Sequence, residues 1–305
     1  MARAAQFFEY GDPDVIRIVE TPAPTPGPGQ VRLAVRAASV NPIDWKTVAG
    51  FMRDLMPLRL PAGVGTDVAG VVDEVGSDVS EFSVGDEVLG SSVTRSFADY
   101  ALAEPAGLIR KPFDVSWKVA GSLAGSGGTA FVALKRLDVK AGETLLIHGA
   151  SGGVGTFAVQ LAVARGVRVI GTASRRNHEY LRSIGAVPVS YGDGLLERVR
   201  SRAPQGVDAV LDASGRGEIP LSIELTGNPA RVLTLVAVDA ADTGIQIRIG
   251  GAGSDLGDAL RELVTLLERG RLTVPIWHAY PLAEIAAALK DSSAGHVAGK
   301  IVVLP

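Results

Sequence analysis

The run Gly149-Ala150-Ser151-Gly152-Gly153-Val154-Gly155 has residue types and spacing suited to holding phosphate groups on backbone N–H donors. Gly149 lets the chain turn sharply out of a strand, Gly152 leaves room for a pyrophosphate to approach the backbone, and Gly155 lets the following helix pack closely on that strand. The free N–H groups of the first helical turn, at the positive end of the helix dipole, then face the anion. Ala150, Ser151, Gly152, Gly153, Val154 and Gly155 are therefore the candidate phosphate-binding residues. The spacing departs from a strict G-x-G-x-x-G, because Ala150 and Ser151 both stand between Gly149 and Gly152. The same glycines would also serve a tight strand-to-helix turn with no ligand. About twenty residues further on lies Gly171-Thr172-Ala173-Ser174-Arg175-Arg176, where a dinucleotide fold reads the adenosine ribose. A nucleotide fold that prefers NAD usually ends this strand with an Asp or Glu, and none is present. The Ser174 hydroxyl and the Arg175 and Arg176 guanidinium groups suit an additional phosphate, so the expected cofactor is NADPH.

The elements that position this turn follow the expected order. Thr144-Leu145-Leu146-Ile147-His148 reads as a buried strand, and Phe157, Val159, Leu161, Ala162 and Ala164 supply an apolar helix. Val167 to Thr172 gives a second strand, which completes a βαβ unit. A glycine-capped helix over 179–185, a strand over 187–191, a helix over 195–202 and strands over 207–212 and 230–236 continue the alternation. They predict an open parallel sheet with helices on both faces. Earlier, from residue 1 to about 112, the texture is β: Val31 to Ala37 alternates, and Val68 to Val75 and Glu87 to Leu89 repeat the pattern. The proline-rich stretch 21–29 can be neither helix nor central strand and reads as an extended loop. This half is expected to be a small barrel. A helix interrupted at Gly127-Gly128 is expected over 119–137 and an amphipathic helix over 255–269. The strand over 300–304 should return to the first domain. The expected class is α/β, with a β-rich domain of residues 1–118 and 270–305 and a doubly wound nucleotide domain of residues 119–269.

Composition excludes several functions. The 305 residues are 47% hydrophobic and 21% charged with a formal charge of −3, and no basic stripe marks a nucleic-acid surface. No run reaches the length of a membrane span, and residues 1–8 are too short and polar for a secretory signal, so a cytoplasmic location is expected. Cysteine is absent, which rules out disulfides and thiolate chemistry and removes the commonest zinc ligand. His148 ends a strand and reads as a core residue, while His178, His278 and His296 lack metal-ligand spacing. No metal site is expected.

Six segments in order give the chain a family likeness. They are Asn41-Pro42-Ile43-Asp44-Trp45-Lys46, residues 65–72, residues 82–88, residues 96–100, the Gly149–Gly155 turn and residues 295–302. With these the sequence resembles the medium-chain dehydrogenase/reductase superfamily, and within it the zinc-free quinone oxidoreductase and enone reductase branch. The resemblance implies a GroES-like domain joined to a Rossmann domain, with a site between them. Zinc-dependent relatives resemble this chain but carry Cys at the place of Asn41 and a His-Glu pair at Thr66-Asp67; an amide and a hydroxyl cannot build their metal site. The implied activity is hydride transfer from NADPH to a quinone or to the C=C bond of an enone, with charge gathering on a carbonyl oxygen. Asn41 is the catalytic candidate that the resemblance brings; where several relatives look as though they carry a Tyr this chain departs with Lys46, a cation that could donate to an enolate oxygen or simply face solvent, and it is the second candidate. To the cofactor it assigns Thr129, Tyr191 on the adenosine phosphate, Ala213, Ser214 and Val236 on the nicotinamide half, and Lys300. It implies a homodimer. A natural-product tailoring reductase and a crystallin-like NADPH-binding protein with little turnover are the alternatives.

Overall fold

The computed structural model describes residues 1–305, the side chains of residues 238, 239 and 241 excepted. The chain forms two compact units, one of Met1–Gly125, Leu256–Val264 and Val274–Pro305, the other of Ser126–Asp255 and Thr265–Thr273. By sequence the divide was expected at 118/119 and the return at 270.

The first part of the chain is built from β1 (Ala2–Phe7), β2 (Ile16–Thr21), β3 (Val31–Val40), α1 (Pro42–Val48), β4 (Ala62–Gly63), β5 (Asp67–Val75), β6 (Glu87–Ser91), β7 (Tyr100–Ala103), β8 (Leu108–Arg110) and α2 (Trp117–Ala120). β3 shows why its sequence makes a strand. Val31, Leu33 and Val35 point into the core while Arg32 and Arg36 stay outside, and from Ala37 to Val40 both faces are buried. Pro42 opens α1, a position where the missing N–H costs nothing.

The chain continues with α3 (Ala124–Leu137), β9 (Thr144–His148), α4 (Gly153–Ala164), β10 (Arg168–Thr172), α5 (His178–Ser183), β11 (Val187–Val189), α6 (Leu195–Arg202), β12 (Ala209–Asp212), α7 (Ile219–Thr226), β13 (Val232–Thr234) and β14 (Gln246–Ile247). These six strands form one sheet in the order β11-β10-β9-β12-β13-β14, every pairing parallel. The order reverses at β9, which is where a doubly wound sheet binds its ligand. Leu146, Ile170, Val199, Val210 and Val232 lie in its core.

The last elements are α8 (Leu256–Glu268), β15 (Ile276–Pro281), α9 (Ile285–Ala294) and β16 (Lys300–Leu304). β16 pairs antiparallel with β3, Ile301 opposite Val40, so the tail does return to the first unit. It joins a seven-stranded sheet ordered β15-β16-β3-β5-β6-β8, with β7 also on β3, beside a three-stranded sheet β2-β1-β4. The core between them holds Phe7, Leu33, Val72, Val88, Phe97 and Val303.

Three expectations change. The path of pairings runs from β15 to β8 without closing, so the expected barrel is an open sheet. Gly127 and Gly128 do not interrupt a helix: α3 runs through them, because both are buried and packing outweighs their low propensity. The break falls earlier, between α2 and α3, where a Cβ on Gly121 would meet the Ala37 carbonyl oxygen at 2.7 Å. The strand over 230–236 shrinks to Val232–Thr234, since Asn228 caps a 3-10 turn at Pro229–Arg231.

Candidate functional site

The glycine turn links β9 to α4 with each glycine in a distinct role. Gly149 has φ of 71°, the left-handed region that a side chain disfavours. A Cβ on Gly155 would lie 2.3 Å from the Gly149 carbonyl oxygen, so the helix can sit this close only because none is there. Gly152 is the N-cap of α4 and offers no capping side chain, and the first turn holds no acid. The opening N–H groups of this twelve-residue helix are therefore turned to whatever anion lies before them. The turn is braced from the next strand: Gly149 N–H donates to Thr172 Oγ1 at 3.1 Å and Ala150 N–H to the Thr172 carbonyl at 3.0 Å. Asn177 Nδ2 donates to Ser151 Oγ at 3.0 Å.

At the end of β10 Ser174 precedes a short 3-10 turn of Arg175–Asn177, and both arginine side chains are exposed. No carboxylate ends this strand. Tyr191 lies just beyond β11, exposed by 40%, and the Arg216 guanidinium sits over its ring, 4.8 Å from the centroid.

Beyond β12, Asp212 organises the next loop. It is buried, its Oδ1 accepts from Ser214 N–H, Ser214 Oγ and Gly215 N–H, and its Oδ2 accepts from Thr234 Oγ1. This carries Ala213 and Ser214 against the turn: a Cβ on Gly149 would meet the Ala213 carbonyl oxygen at 3.1 Å and Ser214 Cβ at 3.4 Å. Val236, whose N–H reaches Thr234 Oγ1 at 3.2 Å, lies against Gly215. The second unit thus gathers the turn, Ala213, Ser214 and Val236 at one end of its sheet. Thr129 lies half-buried in the second turn of α3. His148 is a core residue as expected: fully buried, its Nε2 3.1 Å from Ser222 Oγ, with burial holding its pKa below the usual imidazole range.

In the first unit, Asn41 and Lys300 meet in a buried polar network. Lys300 Nζ donates to Asn41 Oδ1 at 2.6 Å and to the Val40 carbonyl at 3.3 Å. Asn41 Nδ2 donates to Asp67 Oδ2 at 3.1 Å, and Ser39 Oγ donates to the same oxygen at 2.6 Å. Asp44 Oδ2 accepts from the Asn41 N–H at 2.8 Å. All four ionisable or amide groups are at most 8% exposed. An ammonium on one side and a carboxylate on the other leave the amide of Asn41 a single orientation. Burial pushes the Asp44 carboxyl up to about 7, against the pull of the Asn41 N–H and with the help of Asp67, and burial lowers the Lys300 ammonium against Asp67 and Asp44. Gly125 makes room for the network, since a Cβ there would lie 2.6 Å from Asp67 Oδ1. Lys46 stands apart from it, half-buried on α1 with its ammonium 5.7 Å from the Trp45 ring.

Sequence reasoning missed Ser39, Asp67, Gly125 and Arg216. Asp67 carried a usable signal, an acid opening the otherwise apolar run Val68-Ala69-Gly70-Val71-Val72. Among the described residues no group of three or more His, Cys, Asp or Glu is placed to hold a metal ion, and no helix is long and apolar enough to cross a membrane.

Comparison with known proteins fits this geometry. The family model described as "Alcohol dehydrogenase GroES-like domain" matches residues 27–165, and that described as "Zinc-binding dehydrogenase" matches residues 185–303. A chloroplastic quinone-oxidoreductase of Triphysaria versicolor is 33% identical over 330 residues, covering all of this chain and 99% of the relative. An erythronolide synthase of Saccharopolyspora erythraea is 35% identical over 288 residues, 90% of this chain but only 8% of that much longer protein. A mycobacterial protein whose structure was solved in complex with NADPH superposes with a TM-score of 0.87 at 28% identity, both chains being covered in full.

Proposed function

Because the chain belongs to the quinone oxidoreductase branch of the medium-chain dehydrogenase/reductase superfamily, we propose that it is an NADPH-dependent oxidoreductase that reduces a quinone or the C=C bond of an enone without a metal. The observation that carries this reading is the uncapped start of α4 behind the glycine turn, followed by a β10 that ends in Ser174, Arg175 and Arg176 with no acid. Donors without a side-chain cap suit a pyrophosphate, and guanidinium forks suit a second, terminal phosphate. When bound, NADPH supplies the hydride. The residues of this chain bind and orient. The turn from Ala150 to Gly155 holds the pyrophosphate, while Ala213, Ser214 and Val236 border the nicotinamide half.

On the substrate side we place Asn41. Its amide is held in one orientation by Lys300 and Asp67, and a preorganised dipole of this kind stabilises charge developing on a carbonyl oxygen. In this reading Lys300 is a positioning residue for Asn41, a different role from the cofactor contact the family likeness implied. Lys46 is the second candidate donor. Its place outside the network makes Lys46→Met the sharper test of its part: unchanged turnover removes it from the mechanism.

Steady-state rates with NADPH and NADH against quinones, 2-alkenals and cyclic enones test the function. Quinone or enone turnover with NADPH preferred is the expected result. Arg175→Ala with Arg176→Ala should lower the ratio of NADPH to NADH efficiency at least tenfold, the effect of about 1.4 kcal/mol; an unchanged ratio removes the phosphate role. The likeness to a segment of erythronolide synthase favours a second reading, a reductase acting on an enone within a biosynthetic intermediate. Turnover of enone thioesters with no turnover of quinones would select it.

A further inference from the structure

We propose that Arg216 selects for the phosphorylated adenosine of the dinucleotide, working from the loop after β12 against Tyr191 in the loop after β11. The inference rests on the nucleotide reading above. In the sheet, β10 and β9 stand between β11 and β12. Neighbouring strands lie about 4.8 Å apart, so the ends of β11 and β12 are about 14 Å apart. The contact of the Arg216 guanidinium with the Tyr191 ring bridges that gap. It spans the carboxyl ends of β9 and β10, from which the glycine turn and Ser174-Arg175-Arg176 emerge. A ligand reaching from the start of α4 to those arginines passes this bridge.

Both sides of the bridge are built rigidly. Gly215 and Gly217 flank Arg216 with φ of 64° and 84°, backbone states that turn the chain sharply on each side of it. Asp212 ties Ser214 and Gly215, and Glu218 Oε2 accepts from Arg216 N–H at 3.1 Å and from Ser214 Oγ at 2.8 Å. Opposite, Arg198 Nε donates to the Ser190 carbonyl at 3.0 Å and its Nη2 to the Gly192 carbonyl at 2.9 Å, which fixes the backbone on either side of Tyr191. Arg3, Arg32, Arg110, Arg200 and Arg231 each pair with a carboxylate. The Arg216 guanidinium instead rests on an aromatic face, with no carboxylate partner among the described residues. A planar cation held in place, not neutralised, on a loop that leaves the same end of the parallel sheet as Arg175 and Arg176, suits a phosphate monoester.

Titration calorimetry on the full chain, with NADPH, NADH, 2′,5′-ADP and 5′-ADP as probes, tests this. Arg216→Ala should raise the Kd for NADPH and 2′,5′-ADP about tenfold and leave NADH and 5′-ADP nearly unchanged. Tyr191→Leu, which removes the seat, should reproduce part of that loss, and the double variant should lose less than the sum of the two. Tyr191→Phe keeps the ring and separates the hydroxyl's share. An Arg216→Ala chain with an unchanged ratio of NADPH to NADH affinity overturns the proposal. So does an equal loss on phosphorylated and unphosphorylated probes, which would make Arg216 a stacking partner of adenine alone. Failure of the parent chain to bind NADPH would instead overturn the cofactor reading on which the proposal rests.

Discussion

Two carboxylates and one ammonium buried together decide how Asn41 behaves. Removing one partner of a buried ionic network leaves a charge without compensation and costs about 3–5 kcal/mol. Lys300→Met should therefore lower the unfolding free energy read from urea titration by an amount in this range and also cut kcat, because the Asn41 amide loses the donor that orients it. Asn41→Ala should reduce kcat by about a hundredfold with a smaller change in the NADPH Kd, as loss of one preorganised donor does. Asp44 adds a pH dependence. Its folded-state pKa, pushed up to about 7, lies above the value of about 3.9 for an unfolded chain, so the native state keeps a proton that the unfolded state releases. Stability from this group is complete below about pH 4 and is lost as the pH rises through about 7. Urea unfolding from pH 5 to 8 should show the parent chain losing stability relative to Asp44→Asn; parallel pH profiles would refute the coupling.

The junction of β9 and α4 depends on a contact between backbones. A methyl group on Gly155 has to enter space 2.3 Å from the Gly149 carbonyl oxygen and 2.7 Å from the Ala150 carbonyl carbon, so α4 must move away from its strand. Overpacking of this kind costs about 1–3 kcal/mol. Gly155→Ala should lower the melting temperature and, by shifting the helix start, weaken NADPH binding more than it weakens folding. A control on the same helix separates the two effects: Val163→Ala, at the far end of α4 where the side chain packs on Gly185, should cost stability without changing the Kd.

For the molecule as a whole, two consequences follow. Reduction of the substrate should proceed unchanged after dialysis against a chelator, since the family likeness implies Asn41 and Thr66 at the places of zinc ligands and no group of three or more His, Cys, Asp or Glu among the described residues is placed to hold a metal ion. A chelator-sensitive rate would require a metal that the proposed mechanism does not use. β14 ends the six-stranded sheet with one side of its backbone unpaired by β13. Edge strands of this kind pair readily across a two-fold axis. Light scattering should give twice the 31.6 kDa chain mass, and a monomer would remove that edge from the argument.

The amino-acid sequence by itself determined what local patterns encode: the glycine turn, the strand before it, the helix after it, the missing acid at the end of β10, and the alternation that makes a parallel sheet. These depend on backbone sterics and short-range periodicity, which a linear reading contains. Only the tertiary structure decided how distant residues meet. Asn41, Asp67, Gly125 and Lys300 lie up to 259 positions apart and join only because β16 pairs with β3. Arg216 reads as one loop arginine among many until the strand order carries it across β9 and β10 to Tyr191. Gly127 and Gly128 likewise read as a break, because the burial that holds α3 together comes from the rest of the chain and not from its own propensities.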